Sequence, residues 1–233
     1  MSSLNITLRG HHSARRFPER AMIHLTIESS GESEESVSNE VASTCNSLRE
    51  ILEILCPREE DGTPTREAAV SSISSSHIHI TSKTPNAYDP MGNVIDGPRI
   101  YDAIVTIYTI LRDFSELQKF IQKLDGYHNA RLNNICWYLT DASKHEIGAE
   151  ARKEAVLDAV TKANQYAQAV GFEDVTPLDI REIQSEPLSP SAYPQRPTYR
   201  HSSGVSLTPQ DIVLNCAVEV AFEAVCELGG RTD

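Results

Sequence analysis

A chain of 233 residues suffices for one large domain or two small ones and buries about 70 % of its unfolded surface, so it needs no covalent staples. Its formal net charge of −12 argues against nucleic acid or an anionic membrane as the main partner. No apolar run approaches the ~18 residues of a membrane span, and five cysteines without C-x-x-C spacing read as reduced, mostly buried thiols.

Asn5–Arg9 reads as a short strand, and the following Gly10–Pro18 as a polar, basic connection. Ala21, Ile23, Leu25 and Ile27 then alternate with Met22, His24, Thr26 and Glu28, the period-two pattern of a half-buried strand. Ser33 offers an N-cap hydroxyl, with Glu34 and Glu35 where the helix dipole favours negative charge. Val37, Val41, Cys45, Leu48, Leu52 and Leu55 make one apolar stripe, which Pro57 ends.

Residues 57–67 are a polar loop, and the β-branched end of Val70–Thr84 reads as a strand. Pro85–Pro98 is rich in turn residues and predicts a long hairpin connection. Tyr101, Ala103, Val105, Ile107 and Leu111 share one strand face, with Ile104, Tyr108 and Ile110 on the other. Ser115 and Gln118 form a capping box before Leu117, Phe120, Ile121 and Leu124, and Gly126 closes that helix. Ile135, Trp137 and Leu139 alternate in the next strand.

Ser143–Gly171 carries the strongest helix signal. Ser143 and Glu146 have capping-box spacing, and Gly171 stands where a left-handed cap is easiest for glycine. Spacing at about 100° per residue puts Ala155, Val156, Ala159, Val160, Ala163, Tyr166, Ala167 and Val170 on one face, suited to lying close on a sheet. Arg152 interrupts that face. Either its stem lies on the core and its guanidinium reaches solvent, or it pairs with a carboxylate in an interface. Leu178, Ile180 and Ile183 suggest a short strand, and Ile212 to Phe222 alternate in the clearest strand of the chain.

The predicted order is β-β-α-β-β-α-β-α-β-β, with a strand-helix-strand-strand duplication placed around the first and second helices. Alternating strands with one-sided helices predict an α+β fold: an antiparallel-rich sheet with helices packed on one face. It is read as a single domain over 1–233, with a flexible loop at 185–209 and a flexible tail at 227–233. Tyr193, Arg196, Tyr199 and Arg200 in the Pro- and Ser-rich loop form an aromatic and basic patch suited to a partner protein.

The chain has no G-x-x-x-x-G-K-[ST], G-x-G-x-x-G, H-E-x-x-H or G-x-S-x-G. His77 and His79 would project from one side of a strand, but no third ligand is near them in sequence. His11-His12 reads as a loop pair. The expectation is no catalytic residues, no metal and no cofactor. The N-terminal stretch lacks the apolar segment of a signal peptide, so a cytoplasmic location is expected.

Three stretches together resemble the SIMPL-domain family, which includes bacterial oxidative-stress-defence proteins and animal signalling adaptors. The opening Ile6-Thr7-Leu8-Arg9-Gly10, followed by Pro18-Glu19-Arg20-Ala21, is similar to the family's first strand, glycine and lead into the second strand. Arg152, Ala155, Ala159, Ala163 and Ala167 match its helix pattern R-x-x-A-x-x-x-A-x-x-x-A-x-x-x-A. Asp211–Ala224 resembles its closing strand. The family's second glycine is replaced here by His11-His12. The resemblance implies a sheet-and-helix protomer, a non-enzymatic role in stress response or signalling, and self-association or a protein partner. It offers no catalytic residues to carry over. The alternative is a small-molecule or metal binder, anchored by His77, His79 and Arg152.

Overall fold

The computed structural model describes residues 3–88, 91, 93–183 and 207–225. In chain order the first elements are β1 (Ser3–Arg16), β2 (Arg20–Gly31), α1 (Glu34–Ile54), β3 (Val70–Ser75), β4 (His79–Lys83), β5 (Asn86–Tyr88) and β6 (Val94–Asp96). There follow β7 (Ile100–Leu111), α2 (Phe114–Leu124), β8 (Ala130–Tyr138), α3 (Asp141–Ala169), β9 (Val175–Glu182) and β10 (Ile212–Val225). These antiparallel sheets with one-sided helices are an α+β fold. They group into two compact units. The first holds β1, α3, β9 and β10; the second holds everything from β2 to β8.

In the first unit the sheet order is β1-β10-β9, all antiparallel. β1 and β10 pair along their whole length, from Ser3 opposite Val225 to Arg16 opposite Ile212. Gly10–Arg16 is therefore strand, not the loop read from the sequence. Its apolar alternation is hidden because Gly10 and His12 occupy the helix-facing positions opposite Val218 and Cys216. A 29-residue α3 spans about 43 Å and a 14-residue strand about 47 Å, so one helix covers the strand pair end to end.

α3 begins earlier than its sequence suggests. Thr140 is the N-cap, and its hydroxyl accepts from the Ser143 amide. At the other end Gly171 takes a φ of 88°, and the Phe172 amide donates to the Ala167 carbonyl, as a Schellman cap requires. The buried seam is narrower than predicted. Ala151, Ala155, Ala159, Ala163 and Ala167 are fully buried, and Val156 and Val160 pack at the flank, but Tyr166 and Val170 are exposed. Methyl groups let the backbones approach so closely that only one row of residues is enclosed.

The approach is closest at Gly10. A Cβ there would stand 1.9 Å from the Ala155 carbonyl oxygen and 2.9 Å from the Ala159 Cβ, so no larger residue fits without moving α3.

In the second unit the order is β3-β7-β2-β8, with β4 also pairing β7, and β5 and β6 form a separate ribbon. The stripe Val37, Val41, Cys45, Leu48 and Leu52 of α1 is buried with Ile23, Leu25, Ile27, Val105 and Ile107. Leu117, Phe120 and Leu124 of α2 join the same core. The cap of α2 is Asp113, whose carboxylate accepts from the Ser115 and Glu116 amides, in place of the Ser115 box expected. Leu207, inside the region expected to be a flexible loop, packs on this core.

A strand-helix-strand-strand repeat is present, but around α1 and α3 and not around the first two helices. β2-α1-β3-β7 gives the sheet order first-third-second, and so does β1-α3-β9-β10. The second copy is split, since β1 is separated from α3 by the whole of the other unit.

Candidate functional site

Of the residues singled out from the sequence, Tyr193, Arg196, Tyr199 and Arg200 lie outside the described residues. His77 falls in the connection before β4 and His79 at its first position, both exposed, so they do not form a two-ligand arm on one strand. Among the described residues, no group of three or more His, Cys, Asp or Glu is placed to hold a metal ion. His11 and His12 belong to β1, with His12 opposite Cys216. Cys45, Cys56 and Cys216 are buried free thiols and Cys136 is half-buried, while Cys226 lies outside the described residues.

Among the described residues, a cleft in each unit gathers polar groups. In the second unit, Glu28, Ser29, Glu40, His128 and Arg131 line a cavity of about 290 Å³. Ser29 Oγ donates to Glu40 at 2.6 Å, and His128 Nε2 meets the other Glu40 oxygen at 3.1 Å. The carboxylate thus sits between hydroxyl and imidazole, whereas activating a serine requires the imidazole on the hydroxyl. Arg131 is paired with Glu28 at 3.0 Å. The charges here are matched internally.

In the first unit, a cavity of about 330 Å³ lies between the N-terminal half of α3 and the start of β10. Asp141, Lys144, His145, Gly148 and Arg152 line it from the helix, and Leu214 and Cys216 from the strand. Lys144 holds Asp141 at 3.0 Å. Arg152 is exposed, as the solvent-reaching reading expects, and no described carboxylate forms an ion pair with it. Its guanidinium lies over Gly148, 3.4 Å from where a Cβ would be. Burial, then the Glu182 charge, pushes the Cys216 thiol up, with Arg152 opposing them.

Of this cleft the sequence reading found Arg152 alone. A glycine at 148 in a helix interior is the signal that marked the rest, since Gly costs about 1 kcal/mol there relative to Ala.

The two edges of the three-stranded sheet differ. On β1, the His11 amide donates to Asp158 at 2.8 Å and the Arg9 carbonyl accepts from Lys162 at 3.2 Å, so side chains of α3 occupy the middle of that edge. Asp158 also holds Lys162 at 2.6 Å. On β9, the outer edge pairs with no described strand, and Leu178 and Ile180 are 59 % and 52 % exposed. Ile180 stands opposite Val220, on the face that α3 covers, but beyond the helix's reach.

A match to the SIMPL family model, described as "Protein of unknown function (DUF541)", runs over residues 6–222. It starts in β1 and ends in β10, and so takes in both units. The chain belongs to the SIMPL family. No curated protein matches it. The SIMPL pattern read from the helix is the seam itself: Ala155, Ala159, Ala163 and Ala167 are each fully buried. The pattern's Arg152 differs from them, standing at the open cleft. Among the described residues, no helix is long and apolar enough to cross a membrane.

Proposed function

We propose that this SIMPL chain acts without catalysis, by associating with further copies of itself through the β9 edge, in a cytoplasmic stress-response or signalling role. The observation that carries the reading is the asymmetry of the three-stranded sheet. One edge is tied down by α3 side chains, whereas the other leaves Leu178 and Ile180 in solvent. Exposed apolar residues on an unpaired edge are what strand-to-strand association uses, and what a monomer ordinarily blunts.

Blunting by the backbone is present at one end of the strand, while Asp179 and Arg181 place charges beside Ile180. Pro177 has no amide to donate, and Leu178 beside it is the extra residue of a bulge opposite Ala221 and Phe222. Regular pairing is thereby confined to the stretch from Asp179 to Arg181.

Light scattering on a sizing column tests the reading with wild type and Ile180→Asp. A discrete oligomer that dissociates in the variant is expected, with the circular dichroism unchanged. A monomeric wild type at high concentration overturns self-association. An oligomer indifferent to Ile180→Asp overturns the β9 edge as its interface.

A further inference from the structure

We infer that the cleft between the N-terminal half of α3 and the start of β10 binds a small organic anion, a carboxylate or phosphate ester carrying a compact apolar body. Among the described residues, three bases face this space, Lys144, His145 and Arg152, and one acid, Asp141. That acid is already held by Lys144 at 3.0 Å, so the Arg152 charge is left over. The excess is local and runs against a chain whose net charge is −12.

The donors are also of the right kind. A guanidinium presents a planar fork that fits carboxylate and phosphate oxygens two at a time. His145 Nδ1 donates to the Asp141 carbonyl at 3.1 Å, which fixes the ring against the helix. The floor under the guanidinium is bare backbone, because Gly148 has no Cβ; an alanine would bring a carbon 3.4 Å from Arg152 Nη1.

The opposite wall is apolar. It consists of Leu214 and the Cys216 thiol, and burial keeps that thiol protonated and neutral. The Glu182 carboxylate that acts on Cys216 comes from β9 and does not line the cleft. A volume of about 330 Å³ is at the small end of ligand pockets, which start at roughly 300 Å³. An anionic head on Arg152 with an apolar body against Leu214 and Cys216 satisfies both walls.

The test is an NMR titration of the full chain with benzoate and with phenyl phosphate in separate arms, and with benzyl alcohol as the neutral control at matched ionic strength. Saturable shifts of the Gly148 amide and the Arg152 Nε–H are expected with at least one anion, and the two arms tell carboxylate from phosphate. Arg152→Met keeps the stem and should weaken binding by about tenfold, which is 1.4 kcal/mol. Gly148→Ala should raise the melting temperature, as helix propensity demands, while weakening binding. That pairing separates a ligand site from a merely structural glycine. Shifts that do not saturate with either anion, equal binding of benzyl alcohol, or wild-type affinity in both variants would each overturn the inference.

Discussion

The two units use one connectivity with opposite packing. Each lays a helix on strands ordered first-third-second. α1 meets its sheet through Val41, Leu48 and Leu52, all fully buried, and fills the gap with branched side chains. α3 meets its sheet through five alanines and a glycine opposite, and removes the gap by bringing the backbones together. The same topology is thus compatible with two helix-to-sheet distances. The first kind of interface is sensitive to losing volume and the second to gaining it.

The strongest break in that comparison is Gly10→Ala. Its Cβ would meet the Ala155 carbonyl at 1.9 Å, and backbone cannot yield as a side-chain tip can. A loss of more than ~4 kcal/mol is expected, in the range reserved for a core that cannot adjust. Gly31→Ala is the control in the other unit, where the nearest atom is a Val37 methyl at 3.1 Å. Chemical denaturation should find the second variant close to wild type and the first unfolded or nearly so. Equal effects would remove the distinction between the units.

A reciprocal pair of core changes sharpens it. Leu48→Ala should cost roughly 2–5 kcal/mol by opening a cavity under α1. Ala159→Leu should cost roughly 1–3 kcal/mol by forcing α3 off Gly10 and its strand. Hydrogen exchange should place the first loss in β2, β7 and α1, and the second in β1, β10 and α3. A tolerated Ala159→Leu would mean the alanine seam is not close-packed.

The smallest effect expected is at Asp158. Its bond from Lys162, and then that from the His11 amide, hold its carboxyl below the usual carboxylate range. A group whose folded pKa is lowered contributes stability above its unfolded value of ~3.9, and that contribution is lost as pH falls through the folded value. Asp158→Asn should therefore cost about 0.5–1 kcal/mol at neutral pH, discounted for a partly exposed pair, and progressively less in acid. Thermal melts of wild type and variant across that range check it. A gap that widens in acid would contradict the assigned bonds.

Much of the fold was legible because its signals are local. Ser33 caps α1, Gly171 closes α3, and the alternations in β2, β7 and β10 each follow from a few neighbouring residues that must bury one face. The R-x-x-A helix pattern, taken with the first and last strands, pointed to the family whose model matches residues 6–222. Of the candidate site one residue was legible, Arg152, because an arginine beside an alanine row stands out in sequence.

What remained was decided at long range. β1 reads as strand and then loop until β10, some 200 residues away, supplies a partner for all fourteen of its residues. Local pattern places the duplication around the first two helices because nothing local says that the two ends of the chain share a sheet. Tyr166 and Val170 fell on the apolar face by angle but in solvent by distance, since small residues draw the backbones together and narrow the seam. Leu214 and Cys216 join Arg152 in one cleft only once β10 is laid beneath α3. Periodicity determines which face a segment buries; what covers that face, and how closely, is a property of the assembled chain.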